Sequence, residues 1–407
     1  MRIALVTTYP PSKGSLNEYA FHFVKHLRGK HEVSEVIILA DELPDGQTYP
    51  PDDETAGNAP LRIRPCWCFG AWDNTLRIRR AVTDIQPDVV LFNLQFATFA
   101  DRRLLAALGL LAPWLAKSTD TVSAVLLHNI METVDLGKAG FGGNSIMERV
   151  TRLFGTIFTR ALLRADLVAV TIPKYVDILT HKYGAQHVVL APHGAFEEIQ
   201  EPAYDLPDGP LQIMTFGKFG TYKKVEHLIE AFALLKQTHT QHLELVIAGT
   251  DSPNTPEYLA GVQQQYAHIA GVRYTGYVEE EDVPRIFEEA AVVVFPYNST
   301  TGSSGVLHQA GSYGKAVVLP NLGDFAELIA EEGYTGEFFE PDDPHSMAQA
   351  ISRLIDAPRH RQQVGMQNYV AASGLPMHEV VDWYLLHFER LLAEKSTSPL
   401  NATQKAN

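Results

Sequence analysis

Pro296–Leu319 reads PYNSTTGSSGVLHQAGSYGKAVVL, and the fold is decided there. The run Val292–Phe295 ahead of it has strand character and stops at Pro296. A polar loop of Asn, Ser, Thr and Gly follows, and then an apolar-periodic segment, Val306–Tyr313. The order is strand, loop, helix. Ser303, Ser304 and Gly305 fall where the helix starts, so its first N–H groups and positive dipole end face the space beyond the strand's carboxyl end. Phosphates suit such a place. An ordinary β-α connection with Ser as N-cap accounts for the same residues, so the rest of the chain has to discriminate.

Working outward, 407 residues exceed one ordinary core and suggest roughly two or three domains. The formal net charge of −15 argues against a general nucleic-acid binder, which needs a broad basic face. Cys66 and Cys68 have no second pair to complete a four-ligand metal site and read as reduced, structural thiols. The start MRIALVTTYPP reads as a buried strand rather than a signal peptide, which points to a cytoplasmic protein. The longest apolar run, Leu104–Ala116, is 13 residues and holds Pro113, well short of the ~20 that span a bilayer.

The pattern before the opening stretch is β-α-β throughout. Strand Ile3–Thr7, loop Tyr9–Ser15, helix Asn17–Leu27 and strand Val36–Leu39 give the signature of a parallel sheet. In the loop PPSKGS, Gly14 and Ser15 would let a sugar or phosphate approach the backbone. Asp41–Pro60 is rich in Pro, Asp and Gly and reads as a surface excursion. Helix Thr75–Ile85, strand Val89–Asn93, helix Arg102–Leu111 and strand Val122–Leu127 follow. His128 then stands at a strand's carboxyl edge, where open α/β folds place ligands, and reads equally as structural or functional. Thr133–Asn144 is a glycine-punctuated loop. Ile146–Arg164 carries four arginines opposite an apolar face, which suits either a solvated helix face or an anionic membrane surface.

After APHG, with His193, the acidic, proline-bearing stretch EEIQEPAYDLPDGP reads as a linker. A second β-α-β series begins at Leu211–Phe216 and runs into GKFGTYKK. There Lys218 and Lys223 bracket the turn Gly217–Gly220, an arrangement able to neutralise a diphosphate, although lysines at a helix start are also common surface residues. Neither a Walker-type sequence nor a G-x-G-x-x-G after the first strand is present, which disfavours P-loop hydrolysis and a nicotinamide enzyme. The fold class expected is α/β, two Rossmann-like doubly wound domains facing a cleft.

PPSKGS, LLHN, APHG, GKFGTYKKVEHLIEAF, TGYV and SSGVLHQAGSYGKAVV, in that order, resemble the group 1 retaining glycosyltransferases of the GT-B fold. The resemblance is strongest over Ile213–Phe339 and implies transfer of a sugar from a nucleotide-diphosphate-sugar donor to a glycan, lipid-linked or small-molecule acceptor. It also implies that no metal or other cofactor is needed. By resemblance, Lys218 and Lys223 hold the diphosphate and assist departure of the nucleotide, joined by Gly217 and the amides of Gly305 and Val306, with Gly14 and Ser15 nearby. His128 faces the donor sugar. Where the family carries two glutamates with seven residues between them, this chain has Thr301 and Gln309, so Thr301, Gly302, Ser303, Ser304 and Gln309 are the expected donor-sugar and ribose residues. Loss of both carboxylates leaves open a weakened or inactive protein that binds a nucleotide or nucleotide-sugar.

The expected domains are 1–197 with 376–395 on the acceptor side, a linker at 198–210, a nucleotide-sugar domain at 211–375 and a flexible tail at 396–407. The expected partners are a nucleotide-diphosphate-sugar and an acceptor, with no nucleic acid. Residues 146–164 are the expected place for any peripheral contact with the inner face of a membrane.

Overall fold

A computed structural model describes residues 1–14, 16–44, 46–55, 57–118, 120–130, 155–196, 201–202, 204–252, 255–299 and 304–397. The chain divides into two compact units, one built from its first half and its last helix, the other from Gly194–Pro376.

The first unit is built on a sheet of order β3-β2-β1-β4-β5-β6-β7, parallel throughout. Its strands are β1 (Arg2–Val6), β2 (Glu35–Asp41), β3 (Leu61–Trp67), β4 (Val89–Leu94), β5 (Val122–Leu127), β6 (Leu167–Val170) and β7 (Val188–Leu190). β4 and β5 are buried along their whole length, as expected when helices cover both faces of a parallel sheet. The chain builds outward from β1 to β2 and β3, then crosses back to place β4 on the other side, so a switch point lies between β1 and β4. The last helix, Met377–Thr397, belongs to this unit. Tyr384 meets Phe23 edge-on at 5.4 Å, and Lys30 pairs with Asp382 at 2.6 Å. Lys395 Nζ donates to the Ser118 and Thr121 carbonyls and pairs with Asp166 at 2.9 Å.

The second unit repeats the architecture with the order β10-β9-β8-β11-β12-β13, again parallel. The strands are β8 (Leu211–Phe219), β9 (Leu243–Asp251), β10 (Val272–Gly276), β11 (Ala290–Val294), β12 (Ala316–Pro320) and β13 (Glu337–Phe339). Side chains alternate between two cores: Ile213, Leu245, Ile247, Val292 and Val294 enter one, Met214, Val246 and Val293 the other. Its switch point lies between β8 and β11.

Several elements differ from the sequence reading. β3 is an added edge strand; its outward Arg62 and Arg64 pair with Glu35 and Asp52, and Pro65 sits where an edge tolerates it. The expected helix Arg102–Leu111 is present as Arg103–Gly109, and a further short helix, Ala112–Ala116, follows it with Pro113 in its first turn. Helices Tyr258–Gln265 and Pro358–Ser373 are added. The latter buries Asn368, whose side chain accepts from the Thr335 amide and donates to the Lys315 carbonyl, so a polar residue occupies a core position. The unit boundary falls between His193 and Gly194, ahead of the expected 197, and Pro376 closes the second unit. Part of the expected linker is not free: Pro202 and Tyr204 pack so closely on Gly314 that a Cβ there would stand 2.5 and 2.8 Å from them. The last helix continues to Thr397, past the expected start of the tail. Cys66 and Cys68 are both free thiols. Among the described residues no helix is long and apolar enough to cross a membrane.

Candidate functional site

In the second unit the loops leaving β8 and β11 are joined by backbone hydrogen bonds. The Lys224 amide donates to the Pro296 carbonyl, the Asn298 amide to the Tyr222 carbonyl, and Lys223 forms an antiparallel bridge with Tyr297. Within the first loop the Gly220 amide closes on the Lys223 carbonyl at 2.9 Å. Gly217 has φ 132°, and a Cβ on it would lie 2.8 Å from Lys223 Nζ, so the ammonium rests against bare backbone. The same Nζ is 5.0 Å from the centroid of the Tyr297 ring and 5.9 Å from that of Tyr222. Tyr297 reaches the other way through its hydroxyl, 3.5 Å from Ser304 Oγ. Burial pushes the Tyr297 and Tyr222 phenols above their ordinary range, which keeps both neutral beside the lysine.

Ser304 precedes helix Gly305–Ser312 in extended conformation, but its side chain does not cap the helix. Its carbonyl takes the amides of Leu307 and His308, leaving those of Gly305 and Val306 ahead of the helical ladder. Thus the structure brings Gly217, Lys223, Ser304, Gly305 and Val306 to one sheet edge, with Tyr297 linking the lysine loop to the helix start. Lys218 lies on β8, opposite Thr250 of β9, and is half-buried. Gln309 is in the same helix and only 5% exposed. Thr301, Gly302 and Ser303 lie outside the described residues, as does Ser15 in the first unit.

In the first unit, Gly14 follows the cis Pro10–Pro11 bond, and its amide donates to Ser12 Oγ at 3.2 Å. A Cβ on Gly14 would meet Thr8 Cγ2 at 2.4 Å, so the loop's own fold requires a glycine there. Ser12 in turn donates to Asp41 Oδ2 at 2.6 Å, and Tyr49 donates to Asp41 Oδ1 at 2.8 Å. His128 leaves β5 with its amide on the Leu94 carbonyl. Its ring meets Tyr19 edge-on at 4.8 Å and lies 5.8 Å from the ring of His193, which Tyr19 also touches at 4.9 Å. Burial, and to a lesser degree His193, holds the His128 imidazole well below its ordinary pKa, so it is neutral at pH 7.

Sequence reasoning missed Tyr222 and Tyr297 and read His193 only as part of a turn. A histidine just past a strand, as at His128, was the available signal for His193; the tyrosines carried none, because their roles come from loop pairing. Thr133–Asn144 and residues 146–154 of the arginine-bearing segment 146–164 lie outside the described residues. Of its arginines, Arg164 stacks over Trp114, 4.5 Å from the ring centroid.

Residues 210–357 match the family model described as glycosyl transferases group 1. This part of the chain resembles a group 1 glycosyltransferase domain. It includes the paired loops, Lys223 and the helix start. A D-inositol 3-phosphate glycosyltransferase of Corynebacterium glutamicum is 24% identical over 218 residues, covering 49% of this chain and 51% of the relative. The chain thus spans about half the length of that curated relative. Among solved structures, sucrose-phosphate synthase from Thermosynechococcus elongatus has a TM-score of 0.74 at 18% identity, covering 97% of this chain and all (100%) of the other. Anabaena Alr3699/HepE, solved with UDP-glucose, has a TM-score of 0.66 at 14% identity, covering 97% and 100%. The matched segment therefore sits in a chain of GT-B fold.

Proposed function

We propose that the protein is a retaining hexosyltransferase that moves a sugar from a nucleotide-diphosphate-sugar to an acceptor, with the donor diphosphate held by the second unit. The observation that carries this reading is the Tyr297 link, which sets the Lys223 ammonium and the start of helix Gly305–Ser312 at the β8/β11 switch point. One cation and a set of backbone donors converge where charge builds on a departing nucleotide, and such preorganised donors stabilise that charge without reorganising. Lys218 is the second cation in this reading. In this reading the Gly217 backbone allows close approach, and Ser304 and Gln309 serve the sugar and ribose. In the first unit, His128 is the residue this reading assigns to a sugar hydroxyl. The reading needs no metal and places the reaction in the cytoplasm.

The resemblance to a glycosyltransferase domain and the UDP-glucose complex of a protein with the same fold support a sugar-nucleotide donor. The test is a panel of UDP-, GDP- and ADP-sugars, scored first for protection against thermal unfolding and then for donor turnover. Protection with turnover supports the proposal. A second reading, nucleotide binding without transfer, is favoured by Thr301 and Gln309 standing where the family has carboxylates; protection by a donor with no turnover would establish it instead.

A further inference from the structure

A chain of hydrogen bonds crosses the switch point of the first unit and ends on His128. Thr7, the residue after β1, donates its hydroxyl proton to the Thr8 carbonyl at 3.0 Å. With that proton committed, Thr7 Oγ1 is an acceptor for Asn93 Nδ2 at 3.1 Å. The amide of Asn93, on β4, is therefore oriented: Nδ2 toward Thr7 and Oδ1 toward His128. The reverse orientation would set two acceptors against each other at Thr7. Oδ1 stands 2.7 Å from His128 Nε2 and can only accept, so Nε2 must carry the ring proton. Thr7 and Asn93 are 0% and 2% exposed, which shields this orientation from competing water.

We propose that Asn93 is a positioning residue that fixes His128 as its Nε2–H tautomer, leaving Nδ1 as a hydrogen-bond acceptor for a sugar hydroxyl. Nδ1 makes no hydrogen bond among the described residues. The titratable groups whose rings meet His128 there are Tyr19 and His193, while Asn93 and Thr7 carry no charge. Burial disfavours the imidazolium, in which both nitrogens would donate. The tautomer stands on the geometry of this unit alone; its use toward a sugar rests on the proposed transfer reaction.

The test has two arms, chosen so that the tautomer and the reaction fail separately. In the full chain labelled with 15N-histidine, long-range 15N–1H correlation spectra distinguish Nε2–H, Nδ1–H and imidazolium, and His128→Gln identifies the His128 signals. The expected result at pH 7 is a neutral Nε2–H ring in the unmodified protein. An Nδ1–H or imidazolium pattern overturns the proposal, and because that measurement needs no Asn93 variant, a folding failure cannot rescue it. In the second arm, Asn93→Leu should lose the Nε2–H pattern. Its kcat/KM should fall roughly tenfold, as for one lost hydrogen bond, while nucleotide affinity stays unchanged. Asn93→Asp keeps an acceptor for Nε2 and should retain the Nε2–H proton. Its added charge raises the His128 pKa, so its transfer rate should fall toward low pH where that of the unmodified protein is flat. Retention of the Nε2–H pattern in Asn93→Leu, or an unchanged kcat/KM with that pattern lost, overturns the positioning role. An intact Nε2–H pattern with no turnover of any donor refutes the proposed reaction instead.

Discussion

Lys223→Met removes the ammonium but keeps most of the stem against Gly217 and Tyr297, so it separates charge from packing. The ammonium lies 5.0 Å from the Tyr297 centroid and 5.9 Å from that of Tyr222, and such cation–π contacts at partly exposed sites contribute ~0.5–1 kcal/mol each. Stability should therefore fall by no more than about 2 kcal/mol. A hydrogen bond from a charged group to phosphate contributes ~1.5–3 kcal/mol, so affinity for a nucleoside diphosphate should fall roughly ten- to hundredfold. The assay is titration calorimetry, using whichever diphosphate gives the largest thermal protection and, beside it, the same nucleoside without phosphates. Only the diphosphate should weaken. Equal loss for both ligands would mean that the substitution disturbed the loop, and diphosphate affinity within about twofold of the unmodified protein would refute the role given to Lys223.

Gly249 has φ 133°, and a Cβ there would stand 1.9 Å from the Gly217 carbonyl oxygen, a backbone atom that cannot rotate away. Gly249→Ala should cost more than about 2 kcal/mol in urea unfolding, and a loss below that would show that β8 and β9 can part locally. Burial, with Glu331 adding to it, pushes the Glu332 carboxyl up from 4.5 to about 8, and the nearby His308 Nε2 is 3.7 Å away, beyond hydrogen bonding. The native state then holds a proton that the unfolded chain releases. Stability should fall as pH rises from 4.5 to about 8, by up to ~1.4 kcal/mol per pH unit, and Glu332→Gln should flatten that dependence. Parallel pH curves for the two proteins would contradict this. Lys395→Met removes donation to two carbonyls and the contact with Asp166, and should lower stability by ~1–3 kcal/mol with faster hydrogen exchange in the last helix; unchanged exchange would refute its anchoring role.

The α/β class was legible because buried parallel strands read as short apolar runs, such as Val89–Leu94, separated by amphipathic helices. β3 escaped because an edge strand alternates, and LRIRPCW presents arginines and a proline instead of an apolar run. Helix Pro358–Ser373 escaped because Gly365 and Asn368 occupy its buried side; a Cβ on Gly365 would lie 2.1 Å from the Gly314 carbonyl. At the candidate site, glycine beside lysine after a strand drew attention to Lys223. The bonds that set its position, Lys224 amide to Pro296 carbonyl and Asn298 amide to Tyr222 carbonyl, run through backbone and leave no side-chain pattern to read. Asn93 offered a usable signal that went unread: a polar residue inside a wholly buried strand needs partners, and its partners are the informative part.

The return of Met377–Thr397 to the first unit bears on how the chain is made. Synthesis runs from the amino terminus, and domains generally fold as units while they emerge. Here the first unit to be translated is the last to be completed, since Phe23 and Lys30 wait for Tyr384 and Asp382 until Gly194–Pro376 has been translated. The later unit can close while the earlier one still exposes an apolar helix face. A nascent chain stalled near Pro376 should accordingly recruit chaperones through its oldest residues, and a chain released before the last helix should aggregate through them.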